Sequence, residues 1–230
     1  MCDARVFGAQ FAAFSGAMTL TVAPVTGGDR IEEIASRVLD TLPRRFALAG
    51  LSMGGIVAME ILRRAPDRVT RIALMNTNSL AETPQGAADY EPLIIKLKSG
   101  RLEEAVQAMI RPEVLAPGPG RMQVIAQVTE MARGLGAETI IRQIRAIQRR
   151  RDYQAVLRKC RVPALVLCGA HDRLTPVKRH ELMAGLLPDA RLEVIEAAGH
   201  LPVLEAPEAA NQALAAWLRQ PLAQHAGSDA

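Results

Sequence analysis

Apolar residues recur along this chain in two rhythms, and the rhythms alternate. Over residues 3–14, Val6, Phe7, Phe11 and Phe14 share one face at helical spacing. Residues 19–23 form a β-rich run that Pro24 stops, and Gly27-Gly28 marks a turn. Asp29 stands where it would cap a helix over 30–42. Then come a short apolar strand (46–50), a helical pattern (53–65) and a second strand (69–75). Further on, Val162, Ala164, Leu165, Val166, Leu167 and Cys168 read as a strand buried on both faces over 162–169. A helix over 176–187 has proline in its first turn. A strand at 192–195 and a closing helix at 205–218 complete the series. Strand and helix in alternation predict an α/β fold with a mostly parallel, doubly wound sheet.

Between Asn76 and Val162 the alternation stops. Helical patterns at 91–98, 102–109, 122–131 and 139–151 are broken by Pro112 and by Ala116-Pro117-Gly118-Pro119-Gly120. The predicted organisation is a core of residues 1–77 and 162–223, a helical lid over 78–161, and a tail over 224–230. Inserted between two strands, the lid would cover the carboxyl edge of the sheet, where open α/β sheets bind ligands.

Composition narrows the core. Of 230 residues 49% are apolar but only 3% aromatic, so one domain must pack on aliphatic side chains. The net charge of +4 is concentrated around Arg142, Arg145, Arg149, Arg150, Arg151 and Arg158. Their alternation with Ile141, Ile144 and Ile147 fits a solvated basic helix face. Tyr153 is the one aromatic there on which a base could stack, which argues against nucleic acid as a partner. Cys2, Cys160 and Cys168 form no spaced metal or redox motif; Cys168 reads as a small buried residue. With no leader and no long apolar stretch, the expectation is a cytoplasmic protein, monomeric or homodimeric, away from membranes.

The chemistry enters at Gly50-Leu51-Ser52-Met53-Gly54-Gly55. The string sits between the 46–50 strand and the 53–65 helix, the context of a nucleophile elbow. A serine on so sharp a turn has a strained backbone, and Gly50 and Gly54 are read as leaving it room. The following helix directs its free N–H groups at the site of developing charge.

A serine hydroxyl needs a base, and the base needs a group to orient it. Of four histidines, His225 lies in the tail, His180 reads as a surface helix residue, and His171 lies beside an acid. His200 follows the last strand through Ala197-Ala198-Gly199, and Asp172 follows the 162–169 strand. Singly, Asp172 could be a turn or cap residue and His200 a loop filler. Jointly, three groups follow strand ends in the order Ser, Asp, His.

At this point the chain resembles the α/β-hydrolase superfamily, in the branch of serine carboxylesterases and haloperoxidase-like enzymes with a helical lid. The resemblance rests on residues 48–55, on Val162-Pro163-Ala164-Leu165-Val166-Leu167 with Gly169, Asp172 and Pro176, and on Ala198-Gly199-His200 with Glu205, Ala206, Pro207 and Glu208. It implies Ser52 as nucleophile, His200 as base and acid, Asp172 as the residue orienting His200, and the Met53 N–H as an oxyanion donor. No cofactor and no metal are implied. The family's third strand and the oxyanion loop after it have no counterpart here. Residues upstream of Met1 are expected to supply them, or else the 19–23 and 46–50 runs pair directly.

The function expected is hydrolysis of a small or medium carboxylic ester through an acyl-enzyme. Perhydrolase activity would use the same acyl-enzyme, and amide, thioester or carbon–carbon bonds remain open as targets. The reading of another class is a non-catalytic relative that binds a small apolar ligand. A nucleotide-binding domain is disfavoured by the lack of Gly-x-Gly-x-x-Gly after a strand.

Overall fold

The computed structural model describes residues 1–222; the tail over 224–230, with His225, lies outside them. Strands β1 (Phe46–Leu51), β2 (Val69–Met75), β3 (Ala164–Gly169) and β4 (Ala190–Ile195) form one sheet in that order. Every pairing is parallel, with Leu48 opposite Ile72, Ile72 opposite Ala164 and Ala164 opposite Ala190. Helices α1 (Gly8–Phe14), α2 (Ile31–Thr41) and α3 (Met53–Arg64) belong to the first half. Between β2 and β3 lie α4 (Pro84–Asp89), α5 (Glu91–Lys98), α6 (Leu102–Met109), α7 (Arg121–Leu135), α8 (Ala137–Gln148) and α9 (Gln154–Arg158). The chain ends with α10 (Val177–Leu186), α11 (Pro202–Glu205) and α12 (Pro207–Leu218).

The period-2 geometry of strands sorts the core into two layers. Ile72, Leu74, Ala164 and Val166 face a cluster with α2, α3 and α10. Ala73, Met75, Leu165 and Leu167, one residue out of phase, face a cluster with α12 and the inserted helices. All eight are fully buried, which explains why β2 and β3 read as unbroken apolar runs rather than alternating ones. Thr70 and Arg71 are the exceptions in β2, and the Arg71 guanidinium donates to the carbonyls of Trp217 and Leu218, closing the end of α12.

Several expectations need correction. Residues 19–23 form no strand. Both this segment and β1 line one cavity, so the run lies across a gap from the edge it would have joined. Among the described residues β1 pairs with β2 alone, and Ala47 and Ala49 on it are exposed. Asp29 does not cap α2, whose cap position is Arg30 without a side-chain bond; Asp29 pairs with Arg149 at 2.6 Å. The closing helix is two helices, because Pro207 disfavours helical backbone at Ala206, which sits at φ −142°, ψ 62°. The basic segment leaves the helix at Gln148, and its arginines are not merely solvated. Arg142 bonds Glu138, Arg145 bonds Glu91, Arg150 bonds Glu82, and Arg149 and Arg151 reach Asp29 and Glu32 beside and on α2. Among the described residues no helix is long and apolar enough to cross a membrane.

Candidate active site

Ser52 sits between β1 and α3 at φ +52°, ψ −117°, a left-handed backbone that an L-residue adopts only when its surroundings impose it. What imposes it is the end of β2. The Ser52 N–H donates to the Met75 carbonyl at 2.8 Å, and the Thr77 hydroxyl donates to the Ser52 carbonyl at 2.7 Å. The glycine argument holds for Gly50: a Cβ there would run into the Gly54 carbonyl. It fails for Gly54, which faces open space; the second constrained position is Gly55, whose Cβ would meet Thr77 Cγ2 at 2.6 Å. There are thus two close approaches, one across the turn between Gly50 and Gly54 and one between the helix and the end of β2 at Gly55.

The carboxyl ends of β3 and β4 bring two more groups to the same place. His200 Nε2 lies 3.0 Å from Ser52 Oγ, and His200 Nδ1 lies 2.9 Å from Asp172 Oδ2. With Nδ1–H donating to the carboxylate, Nε2 is left as the acceptor for the serine hydroxyl. His200 and Asp172 are buried, while Ser52 is half-buried. Burial pushes the Asp172 carboxyl up, but the hydrogen bond and charge of His200 and the bonds from Thr175 more than reverse this and hold it at about 2. Oδ1 accepts the N–H groups of Leu174 and Thr175 at 2.8 and 2.9 Å, and Oδ2 accepts the Thr175 hydroxyl at 2.5 Å. Asp172 is therefore the turn residue and the partner of His200 at once.

Met53 is the first residue of α3, so its N–H has no carbonyl four residues back within the helix. A cavity of about 1420 Å³ extends from Ser52 and His200, lined by Leu93, Met109, Ile140 and Ile144 of the inserted helices and by Tyr90 between α4 and α5. Among the described residues no cluster of three or more His, Cys, Asp or Glu is placed to hold a metal ion.

His171 is exposed and takes no part. His180, read as a surface residue, is fully buried. Its Nε2 accepts the Thr77 N–H at 3.1 Å, and its Nδ1 lies 3.3 Å from the Pro176 carbonyl. Burial lowers it to about 4, against a smaller upward pull from Pro176 and Asp172. The signal was present in the spacing: His180 shares a helix face with buried Met183 and Leu187. Asn76 and Thr77 were also passed over, although a polar pair directly after the 69–75 run occupies the same kind of strand-end position as Asp172. Glu205 holds the His200 loop by accepting the N–H groups of Gly199 and Leu201 at 2.9 and 2.7 Å. Cys168 is buried as expected, its thiol pushed up to about 12 by burial.

A four-stranded parallel sheet carrying a strained serine on a strand-to-helix turn, hydrogen-bonded to a histidine that is in turn hydrogen-bonded to an aspartate, both from later strand ends, defines the class. The chain belongs to the alpha/beta hydrolase family, whose profile matches residues 5–213. It is 30% identical over 79% of its length to a pimeloyl-[acyl-carrier protein] methyl ester esterase of Aromatoleum aromaticum, covering 77% of that protein. A thermophilic esterase from Thermogutta terrifontis superposes with a TM-score of 0.82 at 25% identity, over 95% of this chain and 86% of that one. A bromoperoxidase from Bacillus anthracis shares the fold, with a TM-score of 0.76 at 17% identity over 95% and 88% of the two chains.

Proposed function

We propose that this chain is a serine hydrolase of carboxylic esters that works through an acyl-enzyme. The observation that carries the reading is the continuous hydrogen-bonded line from Ser52 Oγ through His200 to Asp172. Ser52 attacks the ester carbonyl while His200 Nε2 takes the hydroxyl proton. Asp172, ionised through the whole neutral range, keeps Nδ1 protonated and stabilises the imidazolium. The Met53 N–H donates to the tetrahedral oxyanion. His200 returns the proton to the departing alcohol oxygen as the carbon–oxygen bond breaks. A water then attacks the acyl carbonyl with His200 again as base, and Ser52 leaves with the proton restored.

The ester chemistry is supported by the names of the relatives, which are esterases acting on a methyl ester in one case. The apolar lining of the cavity suits an aliphatic acyl chain. The inserted helices, residues 78–161, act as the lid that sets its length, over a core formed by the remainder.

A fluorophosphonate probe tests the reading. Labelling of the wild type at Ser52, lost in Ser52→Ala and in His200→Ala, supports it, together with turnover of p-nitrophenyl esters. A folded wild-type protein that neither labels nor turns over any ester of a graded acyl series would favour ligand binding without catalysis.

A further inference from the structure

Asn76 is the residue after β2, and every heavy atom of its side chain is enclosed. Its Nδ2 donates to Asp172 Oδ2 at 2.8 Å and to the Gly199 carbonyl at 3.0 Å. Both partners are acceptors, so the orientation of the amide is fixed by chemistry. One side chain thus joins the acid to the peptide that precedes His200, and its own backbone N–H is tied to the Leu167 carbonyl of β3 at 2.9 Å.

Two costs accompany this arrangement. Asn76 holds φ at +43°, in the left-handed region where asparagine is the best tolerated side-chain-bearing residue. Its Oδ1 is buried with no hydrogen-bond partner among the described residues. Buried orphan acceptors are rare in folded proteins. An apolar residue or glycine at this position would avoid the orphan, so the amide's contribution must be the pair of hydrogen bonds it donates.

We propose that Asn76 is a positioning residue for the ester hydrolase reaction, fixing Asp172 and the His200 loop relative to each other. Three donors meet at Oδ2: Asn76 Nδ2, the Thr175 hydroxyl and His200 Nδ1. Thr175 belongs to the same loop as Asp172 and cannot register that loop against the one from β4. Asn76 alone of the three stands outside both loops, directly after β2, and its one amide nitrogen donates into each of them. Without it the carboxylate keeps its local bonds, and the His171 N–H still reaches the Ala198 carbonyl at 3.0 Å, but the Asp172 carboxylate and the Gly199–His200 peptide lose their common donor. The ring of His200 must then find both Ser52 Oγ and Asp172 Oδ2 from a less defined position, and misplacements of this kind are felt in the chemical step.

This inference rests on the hydrolase reading, so the test carries a readout that does not need turnover. Asn76→Gly suits the left-handed backbone and deletes the amide; Asn76→Ser keeps a donor too short to reach either acceptor. In both, ester turnover is expected to fall about 10- to 100-fold in kcat with KM held within about twofold. The downfield proton resonance of His200 Nδ1–H, assigned by its loss in Asp172→Ala, is expected to broaden or vanish. Folded variants with wild-type kcat and an unchanged resonance would overturn the proposal. So would a loss of activity that merely follows the unfolded fraction in a thermal melt. If the wild type turns over no ester, the hydrolase reading fails, and the resonance alone decides whether Asn76 holds the pair.

Discussion

Glu205 clamps Gly199 through its side chain: Oε2 accepts the Gly199 N–H at 2.9 Å, and the same oxygen takes the Ala116 N–H of the helical insertion at 2.7 Å. The other oxygen takes the Leu201 N–H, so the N–H groups of the residues on both sides of His200 are held by one carboxylate. The His200 N–H itself donates to the Val114 carbonyl at 2.8 Å. The insertion and the histidine loop are therefore one hydrogen-bonded unit. Glu205→Ala strands three N–H groups, each costing about 1–3 kcal/mol where buried. A loss of roughly 2–4 kcal/mol is expected in urea unfolding. At temperatures where the variant stays folded, ester turnover should still fall, because the loop that carries His200 has lost its anchor.

The two glycines after Ser52 should behave oppositely. A Cβ on Gly54 meets nothing within 4 Å, so Gly54→Ala is expected to leave activity intact and to raise stability by up to about 1 kcal/mol through helix propensity. A Cβ on Gly55 would press on the Thr77 side chain at 2.6–2.7 Å, and Thr77 in turn holds the Ser52 carbonyl. Gly55→Ala should cost about 1–3 kcal/mol and lower turnover as well. Paired thermal melts and p-nitrophenyl ester assays check both; equal behaviour of the two variants would contradict the steric account.

Asp172→Asn separates the acid's two duties. The turn bonds from Leu174 and Thr175 go to Oδ1, which an asparagine oxygen can still accept. The Oδ2 position would carry an amide facing three donors, and Nδ1 of His200 would lose its acceptor. A variant that folds but loses roughly 10⁴-fold in kcat is the expected result, from the wrong tautomer of His200. Steady-state kinetics beside a circular dichroism spectrum distinguish this from unfolding.

The alternation of strands and helices was legible because β2 and β3 are buried on both faces and α3 follows the elbow directly. Ser52, Asp172 and His200 were legible because each follows a strand end, and parallel strands bring those ends to one edge. The 19–23 run was misread because β propensity describes a segment that fits a sheet, and only tertiary structure provides the edge it pairs with. Asp29 was misread as a cap for a similar reason: a long-range ion pair with Arg149 took its carboxylate. His180 and Asn76 were missed because their roles are contacts across about a hundred residues of chain, between α10, β2 and the loops after β3 and β4. No local pattern encodes such a contact; what the sequence offers is only a polar residue where an apolar one would fit.

His180 makes stability fall with acid in a window of its own. Its ordinary value of 6.5 applies in the unfolded chain, and burial lowers it to about 4 in the fold. The folded state therefore binds fewer protons than the unfolded state between these values. The stability that neutral His180 provides is complete above about pH 6.5, declines as pH falls, and levels off below about pH 4. The integrated loss is on the order of 3 kcal/mol. Asp172 acts in a lower window: its contribution is complete above its ordinary 3.8 and is lost as pH falls through about 2. His180→Gln removes the titration and keeps an oxygen able to accept the Thr77 N–H. Urea unfolding at steps from pH 7.5 to 4 should show wild-type stability falling more steeply than that of His180→Gln. Parallel pH profiles for the two proteins would mean that His180 accepts a proton in the folded state as readily as in the unfolded one, and the burial argument would fail.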